Sequence, residues 1–444
     1  MEKQTKYILS QVRNTRFTGK VMTVFVEAEI KNSSNGSAVA TLSMLWKKRG
    51  TWLSAVNNEW RQARSTEVLT TTESLFQTLN SLKQFYPANK HMIITAGHGS
   101  VIGINYYLPG LVTKSDHIAN SYIDNKIRNE FSRLDEKLPV TNPAGAENSK
   151  LLFLSNEEIN AVFRRVFPEK KVDVFVMYNC LMQNLYTQFE FRETVDWFVA
   201  PVSGITIPGF NYVALLDEIN LNPYISSEMI ARLFISSFRS GNAYSLYQGD
   251  MENTWKVAAM KLDSHWYNNV QEAFFDLVSR MNTCVDVYGR QVINCIKEVM
   301  RYIFNYAFHC LDSIHIPDLG VFLEYFKELI ENDRRYSDLK ELTPAIEHLQ
   351  KILSERGPGY VFQGNHFYNN GIGHIEDEDR YKKNISDIGI LFPFKKFYSK
   401  DCIEPIFDKS SYDREGKPRP GNNIPSFFKN VAFASLVTSI LSPP

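Results

Sequence analysis

The sequence predicts an α/β protein, with helices on both faces of a largely parallel sheet and a mainly helical C-terminal addition. Three observations predict it. Between residues 65 and 209 short apolar runs alternate with amphipathic helical stretches, the pattern of a sheet covered on two sides. Two of these runs, His91-Met-Ile-Ile-Thr-Ala-Gly97 and Val172-Asp-Val-Phe-Val-Met-Tyr-Asn179, lead into His98 and Cys180. Strands of open α/β sheets present their chemistry at such carboxyl ends. From 221 to 356 the pattern is almost wholly helical.

Composition supports a folded chain with a large core. At 444 residues it exceeds one typical domain, and 44% apolar with 13% aromatic residues is ordinary globular composition. Lys plus Arg and Asp plus Glu both number 49, so overall charge supplies no attraction to nucleic acid or an anionic membrane. No nucleic-acid or membrane partner is expected. The five cysteines, Cys180, Cys284, Cys295, Cys310 and Cys402, are widely spaced without a C-x-x-C pair, so reduced thiols are expected and no metal site is read from them. The N-terminal stretch is too weakly apolar for a signal segment, and no window suits a spanning helix, which favours cytoplasmic residence.

Taken in order, residues 20–28 and 38–46 are β-branched and apolar, and the turn-rich link 31–37 is too short for a crossover helix. They read as a hairpin. Residues 65–85 carry apolar positions at helical spacing and feed a buried strand at 91–96. The Pro-, Gly- and Asn-rich end of 110–150 marks an exposed loop, a candidate lid or activation segment. Ser155-Asn-Glu-Glu158 is a capping box opening a helix to Phe167, and the second key strand begins near Val172. A helix is expected from Leu181 to Glu193, directly after Cys180, followed by a strand at 197–201 and a loop at 202–209. Near the C-terminus one strand is expected at 388–393. Residues 1–220 thus form a core with an N-terminal hairpin, and 221–444 a mainly helical region of which about 385–440 is expected to pack back on the core.

A histidine and a cysteine delivered to one sheet edge can form a base and a nucleophile. Cys180 at a helix N-terminus would have its thiolate favoured by the dipole. Gly99, lacking a side chain, leaves its N–H open to a substrate carbonyl and with the N–H of Cys180 could form an oxyanion hole. The competing reading is a small buried thiol beside a glycine turn. Weaker candidates are the acidic run His374-Ile-Glu-Asp-Glu-Asp379, which could bind calcium but lacks EF-hand spacing, the adjacent His309-Cys310, and His265 near Asp263.

Ala96-Gly-His98-Gly99-Ser100 resembles the histidine motif of the clostripain family of cysteine peptidases, in the caspase-like clan, and Asn179-Cys180-Leu181-Met182 is similar to that family's cysteine motif. Tyr86-Pro-Ala88, Phe198-Val-Ala200, Pro208-Gly209, Tyr212 and Gly389-Ile-Leu-Phe-Pro393 add to the resemblance, which covers 65–220 well and 221–440 loosely. It implies a caspase-like three-layer sandwich and a cysteine endopeptidase in which Cys180 forms an acyl-enzyme. It also implies that His98 protonates the leaving amine, that Gly99 donates to the oxyanion, and that the loop holding Ser203 and Gly204 binds substrate. The chain departs from the family at Tyr178, where an acidic residue is usual, and in Pro201-Val-Ser-Gly-Ile-Thr-Ile207, where acidic residues are common. A further departure is the short 31–37 link, where the family has a helix. The resemblance implies a basic P1 residue, Arg or Lys, but the acidic pocket residues that would suit one are missing here, and without a buried countercharge a small or apolar P1 residue is the alternative. Two other readings stay open: a catalytically silent interaction module, and a protease switched on by a regulatory protein partner in a bacterial pathway.

Overall fold

In the computed structural model the described residues are 24–32, 38–48, 51–55, 72–85, 87–99, 101, 103–108, 150–201, 209–243, 256–303, 317–357, 359–364, 386–392, 427 and 430–441. The lid expected at 110–149 therefore lies outside them.

Near the N-terminus β1 (Val24–Asn32) and β2 (Ala38–Lys48) pair antiparallel from Val24↔Trp46 to Asn32↔Ala38. A third strand, β3 (Thr51–Ala55), which sequence pattern did not suggest, extends this small sheet. The larger sheet comprises β4 (Met92–Gly99), β5 (Gly103–Leu108), β6 (Lys150–Ser155), β7 (Val172–Asn179), β8 (Val195–Pro201), β9 (Lys256–Lys261) and β10 (Tyr360–Gly364). Among the described residues its order is β10-β9-β8-β7-β4-β5-β6. The centre is parallel, β4 to β7 and β7 to β8, and each flank adds an antiparallel pair of strands. Five of the seven strands run in one direction, so the sheet is mixed with mostly parallel strands.

Strand β7 shows why the sheet must be covered twice. Its run Val172-Asp-Val-Phe-Val-Met-Tyr-Asn179 is apolar on both faces, as central parallel strands are. Val174, Val176 and Tyr178 join one buried layer with the helices Tyr212–Leu221 and Ser227–Ala243. Phe175 and Met177 join the other, with the helices Asn156–Val166, Leu185–Phe191 and His265–Tyr288. Phe175 packs edge-on against Phe163 and Phe191, at ring separations of 5.0 Å each. The second layer also takes in Gln291–Tyr302, Leu319–Asn332, Thr343–Ser354 and Val431–Leu441, so the sandwich has helices on both faces.

Two local expectations meet the structure differently. The capping box forms in full: the Ser155 N–H donates to Glu158 Oε2 at 2.8 Å and the Glu158 N–H to Ser155 Oγ at 3.2 Å. The strand expected at 388–393 does not form over the described part, 388–392. Residues 386–392 instead run as an extended strap held by single bridges, Gly389 pairing with Asn184 on one side and Asp318 on the other.

That strap is anchored by one carboxylate. Asp318 caps the Leu319–Asn332 helix through the N–H groups of Gly320 (2.9 Å) and Val321 (3.3 Å), and the same side chain accepts from Ser386 N (2.9 Å) and Asp387 N (2.7 Å). Asp387 itself is fully buried at φ 59°, a left-handed conformation that Asp tolerates better than most residues. It lies 3.6 Å from the Arg356 guanidinium and accepts from the Tyr360 hydroxyl, whose own ionisation burial pushes far up.

Replacing Ser155 by Ala is expected to lower unfolding free energy by about 1 kcal/mol, the usual cost of an N-cap side chain. A shift of the urea midpoint with unchanged slope checks this; an unmoved midpoint contradicts it.

Candidate active site

The parallel register of β4 and β7 brings the two motifs together. Residue pairs run from Met92↔Val174 to Gly97↔Asn179, so His98 and Cys180 directly follow partnered residues on adjacent strands. The Thr95 hydroxyl donates to Asn179 Oδ1 at 2.8 Å just before this point. β4 continues past residue 96 because its far edge pairs with β5 through His98↔Asn105 and Gly99↔Ile104. The histidine is therefore on the strand rather than beyond it.

Gly99 and Cys180 approach closely at this edge. A Cβ at residue 99 would fall 2.2 Å from the Cys180 carbonyl oxygen and 3.0 Å from its nitrogen. Only glycine lets the two main chains lie this close. Cys180 is partly exposed and outside any disulfide.

The helix expected to start at Leu181 begins four residues later. Leu181 has φ 64°, which ends regular backbone after the cysteine, and Asn184 is the N-cap of the Leu185–Phe191 helix, accepting from Thr187 N at 2.9 Å. Main-chain bonds hold the intervening turn open: Gln183 N donates to Pro201 O of β8 at 2.8 Å, Gly389 N to Gln183 O at 2.9 Å and Leu185 N to Gly389 O at 3.0 Å. Cys180 thus sits ahead of the helix, and the dipole argument for its thiolate does not apply within the first turn.

A second strained residue lies on the histidine side. Val101 has φ 68°, which a β-branched side chain rarely adopts, and it is fully buried. Such conformations cost on the order of 1–3 kcal/mol each and persist only where surroundings hold them. Here three donors converge on the Val101 carbonyl: Thr187 Oγ1 at 2.8 Å, Asn184 Nδ2 at 2.9 Å and Asn156 Nδ2 at 3.4 Å. Asn184 Nδ2 also donates to the Leu181 carbonyl at 2.8 Å. One side chain therefore ties the turn after the histidine strand to the turn after the cysteine.

Tyr178, the residue in place of the usual acid, is fully buried with its ring 5.4 Å from that of Phe210. Gly209 has φ 67°, and a Cβ there would lie 2.2 Å from the Tyr178 hydroxyl oxygen. The tyrosine is thus packed beneath the end of the loop that follows β8. Ser203 and Gly204, expected to bind substrate, lie outside the described residues, as do His309, Cys310 and the 374–379 acidic run. His265 heads its helix with Nε2 3.3 Å from Asn269 Nδ2, while Asp263 pairs with Lys171 and Lys261, so those two form no dyad. Among the described residues no three His, Cys, Asp or Glu gather as metal ligands, and no helix is long and apolar enough to cross a membrane.

Sequence reasoning missed Asn184, Thr187 and Asn156. A local signal existed for the first: Asn three residues before Thr187 and ahead of Leu-Tyr is an N-cap pattern. Nothing local points to the Val101 carbonyl as its second partner.

The fold and this edge define a class, α/β-sandwich proteins with a histidine and a cysteine on adjoining parallel strand ends. The chain belongs to the clostripain family of cysteine peptidases, whose family model matches residues 135–358, just over half of its length. The matched stretch includes Cys180 and begins after His98. Among solved structures, the chain is similar to an inactive zymogen C11 protease from Parabacteroides distasonis, at 11% identity and TM-score 0.45, covering 89% of this chain and 88% of that one. It is also similar to a secreted C11 cysteine protease from Bacteroides thetaiotaomicron, iotapain, at 12% identity and TM-score 0.45, covering 91% and 92%. A structure of a secreted C11 cysteine protease from the same organism with an irreversible peptide inhibitor matches at 12% identity and TM-score 0.43, covering 81% of each chain. No curated protein matches the chain significantly.

Two outcomes are expected from this geometry. Gly99→Ala should destabilise the fold by about 2 kcal/mol, the range for forcing an extra methyl into packed structure, read as a lowered thermal midpoint. An unchanged midpoint would contradict the contact. Alkylation at neutral pH followed by peptide mapping should modify Cys180 while sparing Cys284 and Cys295. Both of these are buried, and burial with the Glu341 carboxylate 3.1 Å away pushes the Cys284 thiol up to about 12. Burial likewise pushes the Cys295 thiol up.

Proposed function

We propose that the protein is a cysteine endopeptidase acting on a peptide or protein substrate through Cys180 and His98. The observation that carries this reading is the contact of Gly99 with the Cys180 peptide, in the register that sets Gly97 opposite Asn179. In the proposed cycle the Cys180 thiol loses its proton, the His98 imidazole takes one up, and the sulfur attacks the scissile carbonyl carbon. The C–N bond then breaks, the leaving amine takes a proton from His98, and a thioester remains on Cys180. Water attacks the thioester, releasing the acid and restoring the thiol. The N–H groups of Gly99 and Cys180 are assigned to the developing oxyanion, where such donors contribute most. Ser203 and Gly204, in the loop after β8, are assigned to the substrate. The scheme calls for no cofactor, and the cytoplasm is the proposed compartment.

The P1 assignment rests on Tyr178 and on the sequence of the loop after β8. Tyr178 is buried against Phe210, and the 202–207 stretch, Val-Ser-Gly-Ile-Thr-Ile, contains no acid. A cationic P1 side chain would be desolvated without a countercharge, at a cost an apolar one does not meet. Small or apolar P1 residues are therefore assigned.

A panel of thiol-reactive peptide probes differing at P1 tests both parts. Cys180→Ala should abolish labelling, and His98→Ala should lower turnover by about 100- to 10,000-fold, the usual span for a general acid. Labelling that survives in Cys180→Ala excludes the nucleophile. Preference for Arg or Lys probes over Ala or Leu probes excludes the specificity.

A further inference from the structure

The carboxamide of Asn184 does more than cap a helix. Capping uses only its oxygen, which accepts the Thr187 N–H at 2.9 Å, and a serine or aspartate would serve there equally well. Its nitrogen carries two hydrogens, and each meets a different main-chain carbonyl: Val101 at 2.9 Å and Leu181 at 2.8 Å. An N–H donor on one side and two carbonyls on the other fix which amide atom is which. Both acceptors belong to residues with positive φ, 68° and 64°, one just beyond His98-Gly99-Ser100 and the other immediately after Cys180. Asn184 is fully buried, so no water competes for these bonds. Thr187, also fully buried, repeats the contact from the helix, donating its hydroxyl to the Val101 carbonyl at 2.8 Å and accepting from Asn156 Nδ2 at 2.9 Å.

We propose that Asn184, seconded by Thr187, is the positioning residue that sets the histidine strand end against the cysteine turn. This rests on the peptidase reading above. β-Pairing fixes the two strands only as far as Gly97↔Asn179. Beyond that point each chain turns through a strained residue, and the Asn184 amide is a side-chain bond shared by both turns. Asn184 does not take part in the chemistry itself. It limits the relative displacement of the two ends, and a displacement near 1 Å is enough to cost about 100-fold in rate.

The test uses the full chain and the best substrate from the probe panel. Asn184→Ser keeps a capping oxygen and removes both bridging donors. Its kcat should fall by about 100-fold with KM within about threefold, while alkylation of Cys180 by iodoacetamide, which needs no aligned histidine, stays within about threefold of wild type. Thr187→Ser keeps the hydroxyl and should retain most activity, whereas Thr187→Val should lose much of it. A purely structural role would instead move kcat, alkylation and the thermal midpoint together, and would not separate the two Thr187 variants; that result overturns the proposal. A folded Asn184→Ser protein with wild-type kcat overturns it as well. Should Asn184→Ser fail to fold, the Thr187 pair decides, since valine matches threonine in size but lacks the hydroxyl, whereas serine keeps the hydroxyl and lacks only the methyl. A wild-type protein that no peptide probe labels at Cys180 overturns the peptidase reading and this inference with it, which separates that failure from the others.

Discussion

The parallel pairing of β4 with β7 is the constraint from which the candidate site follows. With Met92 opposite Val174, six successive pairs lead to Gly97 opposite Asn179, and the residues that follow on each strand arrive at the same edge. Side-chain alternation makes that register hard to slip. A shift of one residue would turn Phe175 and Met177 into the layer built for Val174, Val176 and Tyr178. The burial that stabilises the sandwich thus also aligns the histidine and cysteine motifs. Position at the edge is a by-product of packing in the core.

Past the strand ends, polar groups take over. The turn after His98 follows the β4–β5 pairs His98↔Asn105 and Gly99↔Ile104, the turn after Cys180 is bonded along the main chain to Pro201 and Gly389, and each contains a residue in a conformation its side chain resists. What joins the two turns to each other is a set of buried amides and a hydroxyl on Asn156, Asn184 and Thr187, supplied by two helix starts on one side of the sheet. In an interior, a hydrogen bond of this kind costs most when it is broken, because the abandoned carbonyl finds no water. The same logic applies to Asp318, whose single carboxylate caps one helix and grips the strap at Ser386 and Asp387.

What could be read from sequence was what depends on neighbours in sequence. The continuous apolar run of β7 and the Ser155–Glu158 box are local, and both have the form their residues imply. The mixed α/β sheet with helices on both faces followed from alternation of such runs. β9 was not visible, because Lys-Val-Ala-Ala-Met-Lys holds one β-branched residue; it is a strand because β8 offers it a partner from Trp197↔Lys261 to Pro201↔Val257. The helix after Cys180 was placed too early for a related reason. Leu181 to Asn184 have ordinary composition, and the bonds that delay the helix come from Pro201 and Gly389, far away in the chain. Ile388 to Phe392 read as a strand by hydrophobicity, yet they lie between two helix starts rather than beside an open sheet edge. At the site, the identity of the motif residues was legible and the clamp around them was not.

The strap also has a temporal meaning. Leu391 N donates to the Tyr186 hydroxyl across 205 residues of chain, and Phe427 stacks edge-on against the same ring at 4.6 Å. At about 5–20 residues per second, a ribosome needs about 10–40 seconds to make the intervening length. Throughout that interval the turn that follows Cys180 lacks the backbone partner that Gly389 provides. A nascent or prematurely ended chain carries the cysteine and histidine motifs without the segment that locks them. Synthesis of the strap is thereby built into completion of this edge of the sheet.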